Sequence, residues 1–286
     1  MDWDELQKNI AAYRRDTFRI ASKKRIQTIE DAISFVNERG YVFFWPCAGS
    51  LFPSLWTAVA GDRPVADAHD DPGHITWGWK DEALGRKYWY YARLLRRRNT
   101  MVSLEFAPYF YALSPNYGDP QEDYLEQYRK GALTAEAKII YETLLNFGPM
   151  DTLELRRKAR ISSQGSHARF SKALDDLMGE MKVLPIGVSQ SGGWRYAFIY
   201  DLVTRQYPDL ADTARDITEN QARERLLMQY FLNMGGADLV EACRLFRWQP
   251  AEAAAIAESL QKSHRLIHVT KGDPSSMFLV IPDIIL

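Results

Sequence analysis

Gln164, Arg169 and Lys172 recur on one side of a helical pattern, with Ala168 among them. Phe170, Leu174 and Leu177 mark the apolar side, and 100° per residue turns the first set outward. Guanidinium and ammonium groups neutralise phosphates, while Gln and Arg can pair with base edges. Arg195 falls near the tip of a hairpin that follows, where a further phosphate contact belongs. Arg96, Arg97 and Arg98 read as the end of a helix, serving its dipole, a phosphate patch, or both. Together these residue types point to double-stranded DNA as the partner.

Other clusters are less specific. His69, Asp70, Asp71 and His74 are potential metal ligands, but Pro72-Gly73 marks a turn and the spacing matches no zinc pattern. A loop with Asx-type hydrogen bonds is the simpler expectation, with no metal and no cofactor. Trp77, Trp79, Trp89 and the run Tyr88–Tyr91 could stack an unpaired base, although aromatics in such numbers more often fill a core. No catalytic residue can be assigned. Asp67, His69, Asp70 and Asp71 become acid/base candidates only if their loop folds over the aromatic cluster.

The elements that position these residues follow from periodicity and punctuation. Between Thr134 and Tyr200, Ile140, Leu144 and Phe147 mark a helix stopped by Gly148-Pro149. Asp151, with Glu154 three residues on, opens a second helix with a capping box. A third helix starts near Ser163, and strands at Val183–Val188 and Trp194–Tyr200 flank the turn Ser189–Gly193. Three helices and a hairpin make a winged helix-turn-helix, whose third helix usually enters the major groove. Gly235, Asp238 and Glu241 repeat the spacing of Gly148, Asp151 and Glu154, so a second copy begins near Thr218. Its hairpin turns at Lys271-Gly272-Asp273-Pro274. Its third helix exposes Glu252, Ala254, Ala255 and Glu258, a face that repels phosphate and suits a structural role or a protein partner.

Residues 26–113 give the same order with insertions. A helix opens at Thr28, Glu30 and Asp31 and ends at Gly40; Tyr41–Trp45 is a strand; Leu51–Ala60 is a helix or strand. Gly61–Gly73 is a loop, Asp81–Arg98 reads as a helix, and Met101–Glu105 and Tyr109–Ala112 read as strands. The expected fold is mainly α with small β-hairpins (α+β), as three tandem winged helix-turn-helix modules. They are residues 26–113, 134–212 and 213–286, preceded by an N-terminal helix and basic break (1–25) and separated by a linker (114–133).

A net charge of −1 excludes a histone-like binder, so DNA contact must come from local patches. Cys47 and Cys243 read as buried free thiols, which suits a reducing cytoplasm. No signal peptide is visible, and no run approaches the ~18 apolar residues of a membrane span.

Over roughly residues 26–286 the chain resembles the AlkZ/YcaQ family of bacterial winged-helix DNA glycosylases. The best-matching pieces are Arg39-Gly40, Tyr88–Arg98 running into Met101–Tyr111, and Ala135–Asp201. The resemblance implies excision of alkylated or crosslinked bases by a Gln-x-Gln or Gln-x-Asp motif on the first strand. Here the motif positions fall on Phe43 and Trp45, neither of which can accept a proton from water. The expectation is therefore an AlkZ-related DNA-binding protein, regulatory or repair-associated, without the usual base-excision chemistry. The alternatives are a DNA glycosylase with a rearranged site and a protein-interaction scaffold.

Overall fold

Three times along this chain a helix stops on a glycine of positive φ and a short buried strand follows: Gly40 at 73°, Gly148 at 82° and Gly235 at 72°. At Gly40 a Cβ would meet the Phe106 ring at 2.9 Å, and at Gly235 it would meet the Tyr13 ring at 2.8 Å. Both the backbone conformation and the close approach therefore require glycine.

A computed structural model describes residues 2–163, 165–192, 195–270 and 277–285. Trp3–Thr17 (α1) comes first, followed by Ile29–Arg39 (α2), Tyr41–Phe43 (β1), Leu55–Ala60 (α3) and Ile75–Arg86 (α4). Tyr90–Ala92 (β2) and Thr100–Val102 (β3) complete the first sheet, and Ala107–Ala112 (α5) and Asp123–Arg129 (α6) lead onward. The second unit is Ala135–Phe147 (α7), Met150–Asp151 (β4), Thr152–Lys158 (α8), His167–Gly179 (α9), Val183–Ser189 (β5) and Ala197–Leu202 (β6). Val203–Gln206 (α10) and Leu210–Arg215 (α11) connect it to the third: Glu219–Met234 (α12), Gly236–Asp238 (β7), Leu239–Phe246 (α13), Pro250–Lys262 (α14), Ile267–Val269 (β8) and Phe278–Val280 (β9).

Each sheet is antiparallel, and the orders are β1-β3-β2, β4-β6-β5 and β7-β9-β8. In every one the last strand sits in the middle, as a winged helix requires. The fold is thus mainly helical with three small sheets.

Caps fix where the helices begin. Thr28 and Asp31 cap α2 reciprocally, and Thr218 and Gln221 do the same for α12. Asp151 accepts from the N–H groups of Leu153 and Glu154, and Asp238 from that of Val240. Glu154 lies near Lys158, and Glu241 pairs with Arg244.

Several sequence expectations need correction. The stretch Asp81–Arg98 is not one helix. Lys87 turns left-handed at φ 55°, and Tyr90–Ala92 pairs antiparallel with Thr100–Val102. Aromatic residues buried on both faces favour a covered strand over a helix with a wet side. Arg96, Arg97 and Arg98 therefore lie in the turn of a hairpin, with Arg96 at φ 49° and Arg97 at φ 56°. Tyr109–Ala112 belongs to α5, where Pro108 sits in the first turn and starts a helix rather than separating strands.

Residues 114–133, expected as a linker, join the first and second units as a folded segment that carries α6. The Asp123 carboxylate accepts from the N–H groups of Tyr117 and Gly118, and the Gln127 amide donates to the Pro115 carbonyl. Those bonds satisfy a folded-back segment that packs α6 on α7. β6 begins at Ala197; Gly193, Trp194, Gln164 and residues 271–276, which include the expected turn Lys271–Pro274, lie outside the described residues.

The basic N-terminal helix packs on the third unit. Tyr13 donates to the Leu232 carbonyl, and Arg14 donates to those of Met234 and Gly236. Arg14 thus serves the Met234 carbonyl at the end of α12 and the Gly236 carbonyl at the start of β7.

Phe170, Leu174 and Leu177 are buried in the core, as helical spacing predicts. Leu174→Ala is expected to lower unfolding free energy by about 2–5 kcal/mol through the cavity it leaves. Denaturant unfolding measures this; an unchanged midpoint would mean that α9 presents another face to the core.

Candidate nucleic-acid interface

Cations from three units converge at one opening. Arg96 and Arg97 from the β2–β3 turn, Lys172 from α9, and Arg244 and Arg247 from α13 and its cap line a cavity of about 490 Å³. The turn is held in place from both sides. Arg93 pairs with Asp175 at 2.7 Å, Arg97 pairs with Asp176 at 2.6 Å, and Arg96 donates to the Gly49 carbonyl at 3.1 Å. Lys172 also reaches Asp176, at 2.6 Å, and Arg244 pairs with Glu241 at 2.6 Å. Arg247 caps α13 in a left-handed conformation and is exposed. Arg98 is exposed beside the opening but does not line it.

The other sequence candidates lie apart. Arg169 pairs with Glu136 at 3.3 Å and borders a second opening of about 410 Å³ shared with Lys158 and Arg160. Arg195 is exposed at φ 51° in the β5–β6 turn, and Gln164 is outside the described residues. Arg244, Arg247 and Arg160 were not singled out in sequence. Their only signal there is a basic residue at or just beyond the end of a second helix, where dipole complementation explains it equally well. The acidic face of α14 is also present: Glu252 and Glu258 are exposed, with Glu252 3.6 Å from Arg223.

A different cavity adjoins the first strand. Tyr41, Val42 and Phe43 are fully buried, and Phe43 packs edge-on to Phe52. The chain emerges at Trp45, which stacks on Phe44 at 5.3 Å and touches Trp77 at 5.5 Å. Trp77 in turn meets Tyr196 at 5.7 Å. These rings face Val65, Ala66, Asp67, His69 and His74 across a cavity of about 910 Å³. Trp79, Trp89, Tyr90 and Tyr91 are core residues, so Trp77 is the aromatic from that sequence cluster that lines the cavity.

The loop side is largely committed to holding its own shape. Asp71 accepts from the Gly73 N–H and pairs with Arg63, which holds its carboxyl below the usual range. The His74 imidazole bonds the Ala66 carbonyl at 2.9 Å and packs on Trp56. Asp70 does not line the cavity, whereas Asp67 and His69 are exposed at its rim. Among the described residues, no three His, Cys, Asp or Glu side chains come together as metal ligands.

Behind the aromatic wall lies a buried charge. Lys80 is 1% exposed and contacts Asp81 at 2.5 Å and the Tyr196 hydroxyl at 2.6 Å. The Tyr196 hydroxyl also donates to Asp81, at 2.8 Å. Burial pushes the Lys80 ammonium down from its ordinary pKa, and Asp81 opposes that shift. The triad ties α4 of the first unit to the strand entry of the second. Removing one partner of such a pair strands the other, so Lys80→Met is expected to cost about 3 kcal/mol in denaturant unfolding. An unaltered stability would show that the triad does not hold the two units together.

No curated protein matches the sequence. Among solved structures, the Streptomyces sahachiroi DNA glycosylase AlkZ is similar in fold, with a TM-score of 0.58 over 97% of this chain and 70% of that chain at 12% identity. The model of the AlkZ-related family matches residues 26–247, well over half of the sequence. The chain belongs to the AlkZ-related family.

Proposed function

We propose that this chain is a DNA-binding protein, related to DNA-repair glycosylases, that holds a duplex backbone at the cleft shared by its three units. The observation that carries this is the convergence of Arg96, Arg97, Lys172, Arg244 and Arg247 on one opening in a chain whose net charge is only −1. Nothing in the overall composition requires such a concentration, and phosphate is the group that rewards it. The contact set proposed here keeps Lys172, Arg96 and Arg97 from the sequence expectation and adds Arg244 and Arg247.

The usual excision chemistry is not part of this proposal. Glycosidic cleavage needs a polar group that holds water against the sugar as positive charge develops there. Phe43 is buried against Phe52, and Trp45 offers a ring and one N–H donor. One observation supports the alternative of a glycosylase for alkylated or crosslinked bases with a rearranged site. Asp67 and His69 stand at the rim of the aromatic cavity beside Trp45.

Two measurements separate these readings. Replacing Arg96, Lys172 and Arg247 by Ala should weaken duplex binding and flatten the plot of log K against log salt by about 0.9 per lost phosphate contact. Wild-type affinity and slope in that variant would place the DNA elsewhere. Duplexes carrying alkylpurines should yield no alkali-labile abasic sites above background. Excision that disappears in Asp67→Asn would instead establish the rearranged enzyme.

A further inference from the structure

The cavity beside Trp45 is a second site, of a chemistry different from the cationic cleft. We propose that it takes an unpaired, uncharged nucleobase, stacked on the ring wall of Trp45, Trp77 and Tyr196. This rests on the DNA-binding reading for its biological source, but its chemistry can be tested without a duplex.

Shape and composition come first. A cavity of about 910 Å³ is ample for a single heteroaromatic ring with its sugar. One side is a continuous aromatic surface: Trp45 to Trp77 at 5.5 Å and Trp77 to Tyr196 at 5.7 Å. Trp77 is 37% exposed there, although Trp79 of the same helix and Trp89 just before β2 are buried. A large indole left at a cavity wall offers a π-face, and every base has a π-face to match. Across from it stand the carboxylate of Asp67 and the imidazole of His69, which can accept from or donate to a base edge.

Charge then selects among planar ligands. The rings already serve a cation on another side. The Lys80 ammonium lies 4.8 Å from the centroid of Trp77, 5.3 Å from that of Tyr196 and 4.5 Å from that of Phe198. Asp81, its counter-ion, is spent on Lys80 and Tyr196. The carboxylate facing the cavity, Asp67, is exposed, and water screens it. Asp81 offsets much of the ammonium's charge, so what remains is competition: a cationic ring would draw on the π-electrons that Lys80 already engages, and Asp67 in front is screened. A neutral ring stacks without that penalty.

Equilibrium dialysis of the full chain with free nucleosides tests the site directly. Adenosine should bind saturably. 1-Methyladenosine, cationic at neutral pH, should bind more weakly by about tenfold, while 1-methylinosine, which carries the methyl group without the charge, should bind like inosine. Trp77→Ala should weaken adenosine binding by about tenfold or more, as expected for one lost base–aromatic stack. Trp77→Phe should recover part of it, and circular dichroism should show both variants folded at the dialysis temperature. A duplex with 2-aminopurine in a single-nucleotide bulge adds the biological arm. Its fluorescence should be quenched on binding by the wild type and not by Trp77→Ala, with end-label anisotropy reporting affinity separately. No saturable nucleoside binding, equal binding by Trp77→Ala, or preference for the cationic ring would overturn the proposal. Duplex binding without quenching would overturn its extension to DNA and leave the cationic cleft intact. Nucleoside binding without duplex binding would sink the DNA reading and keep the pocket.

Discussion

The docking of the β2–β3 hairpin onto α9 decides what the rest of the molecule can do. Its visible bonds are Arg93 to Asp175 and Arg97 to Asp176, with Leu95 buried beneath them. Half-exposed ion pairs contribute about 0–1 kcal/mol each, so the buried leucine supplies the adhesion and the ion pairs set the register. The approach is close: a Cβ on Gly179 would lie 3.4 Å from the Arg93 carbonyl. A winged helix acting alone offers the whole outer face of its third helix to DNA. Here the C-terminal half of that helix is covered by a neighbouring wing. What it keeps free is the N-terminal half, and Lys172 sits at the boundary between the two.

This explains why much of the architecture was legible in the sequence and the interface was not. The apolar period of Phe170, Leu174 and Leu177 is local, and the recurrence of glycine and aspartate at the helix–strand junctions is local too. Both report backbone geometry that neighbouring residues determine among themselves. Tyr88–Arg98 misleads because its pattern fits a helix until burial on both faces is known, and burial is a property of the assembled sheet. The polar, proline-containing stretch after Ser114 misleads for the opposite reason. Its side chains satisfy their own backbone, so composition resembling a linker folds as part of the core's edge. Arg247 and Lys172 are far apart in sequence, and no periodicity could place them at one opening.

The first strand is held by aromatic side chains from several elements. Tyr41 donates to the Leu226 carbonyl and packs among Phe52, Phe106, Phe110 and Phe246. A strand gripped on both faces is fixed in register, because a slip by one residue would drive each ring into the space packed for its smaller or larger neighbour on the opposite face. Phe43 is consequently locked in the interior, and the first side chain free to meet a ligand is Trp45. Any polar chemistry at that place has to come from the facing loop, where Asp71 and His74 are occupied with holding the turn and Asp67 and His69 are not tied by the same bonds.

The cations at the cleft are not idle before a ligand arrives. Lys172 and Arg97 share Asp176, and Arg244 holds Glu241. A phosphate that binds there competes with carboxylates already in place, and each exchange forfeits a contact of about 0–1 kcal/mol. The surface therefore gains less from an unmodified backbone than a patch of free cations would. Modest backbone affinity is tolerable where a second contact adds to it. The ring wall at Trp45 and Trp77 is that kind of contact, since stacking adds about 1–3 kcal/mol per base and demands a base that has left its pair. Weakened electrostatics and an aromatic cavity thus work in the same direction, toward DNA in which a base is already unpaired.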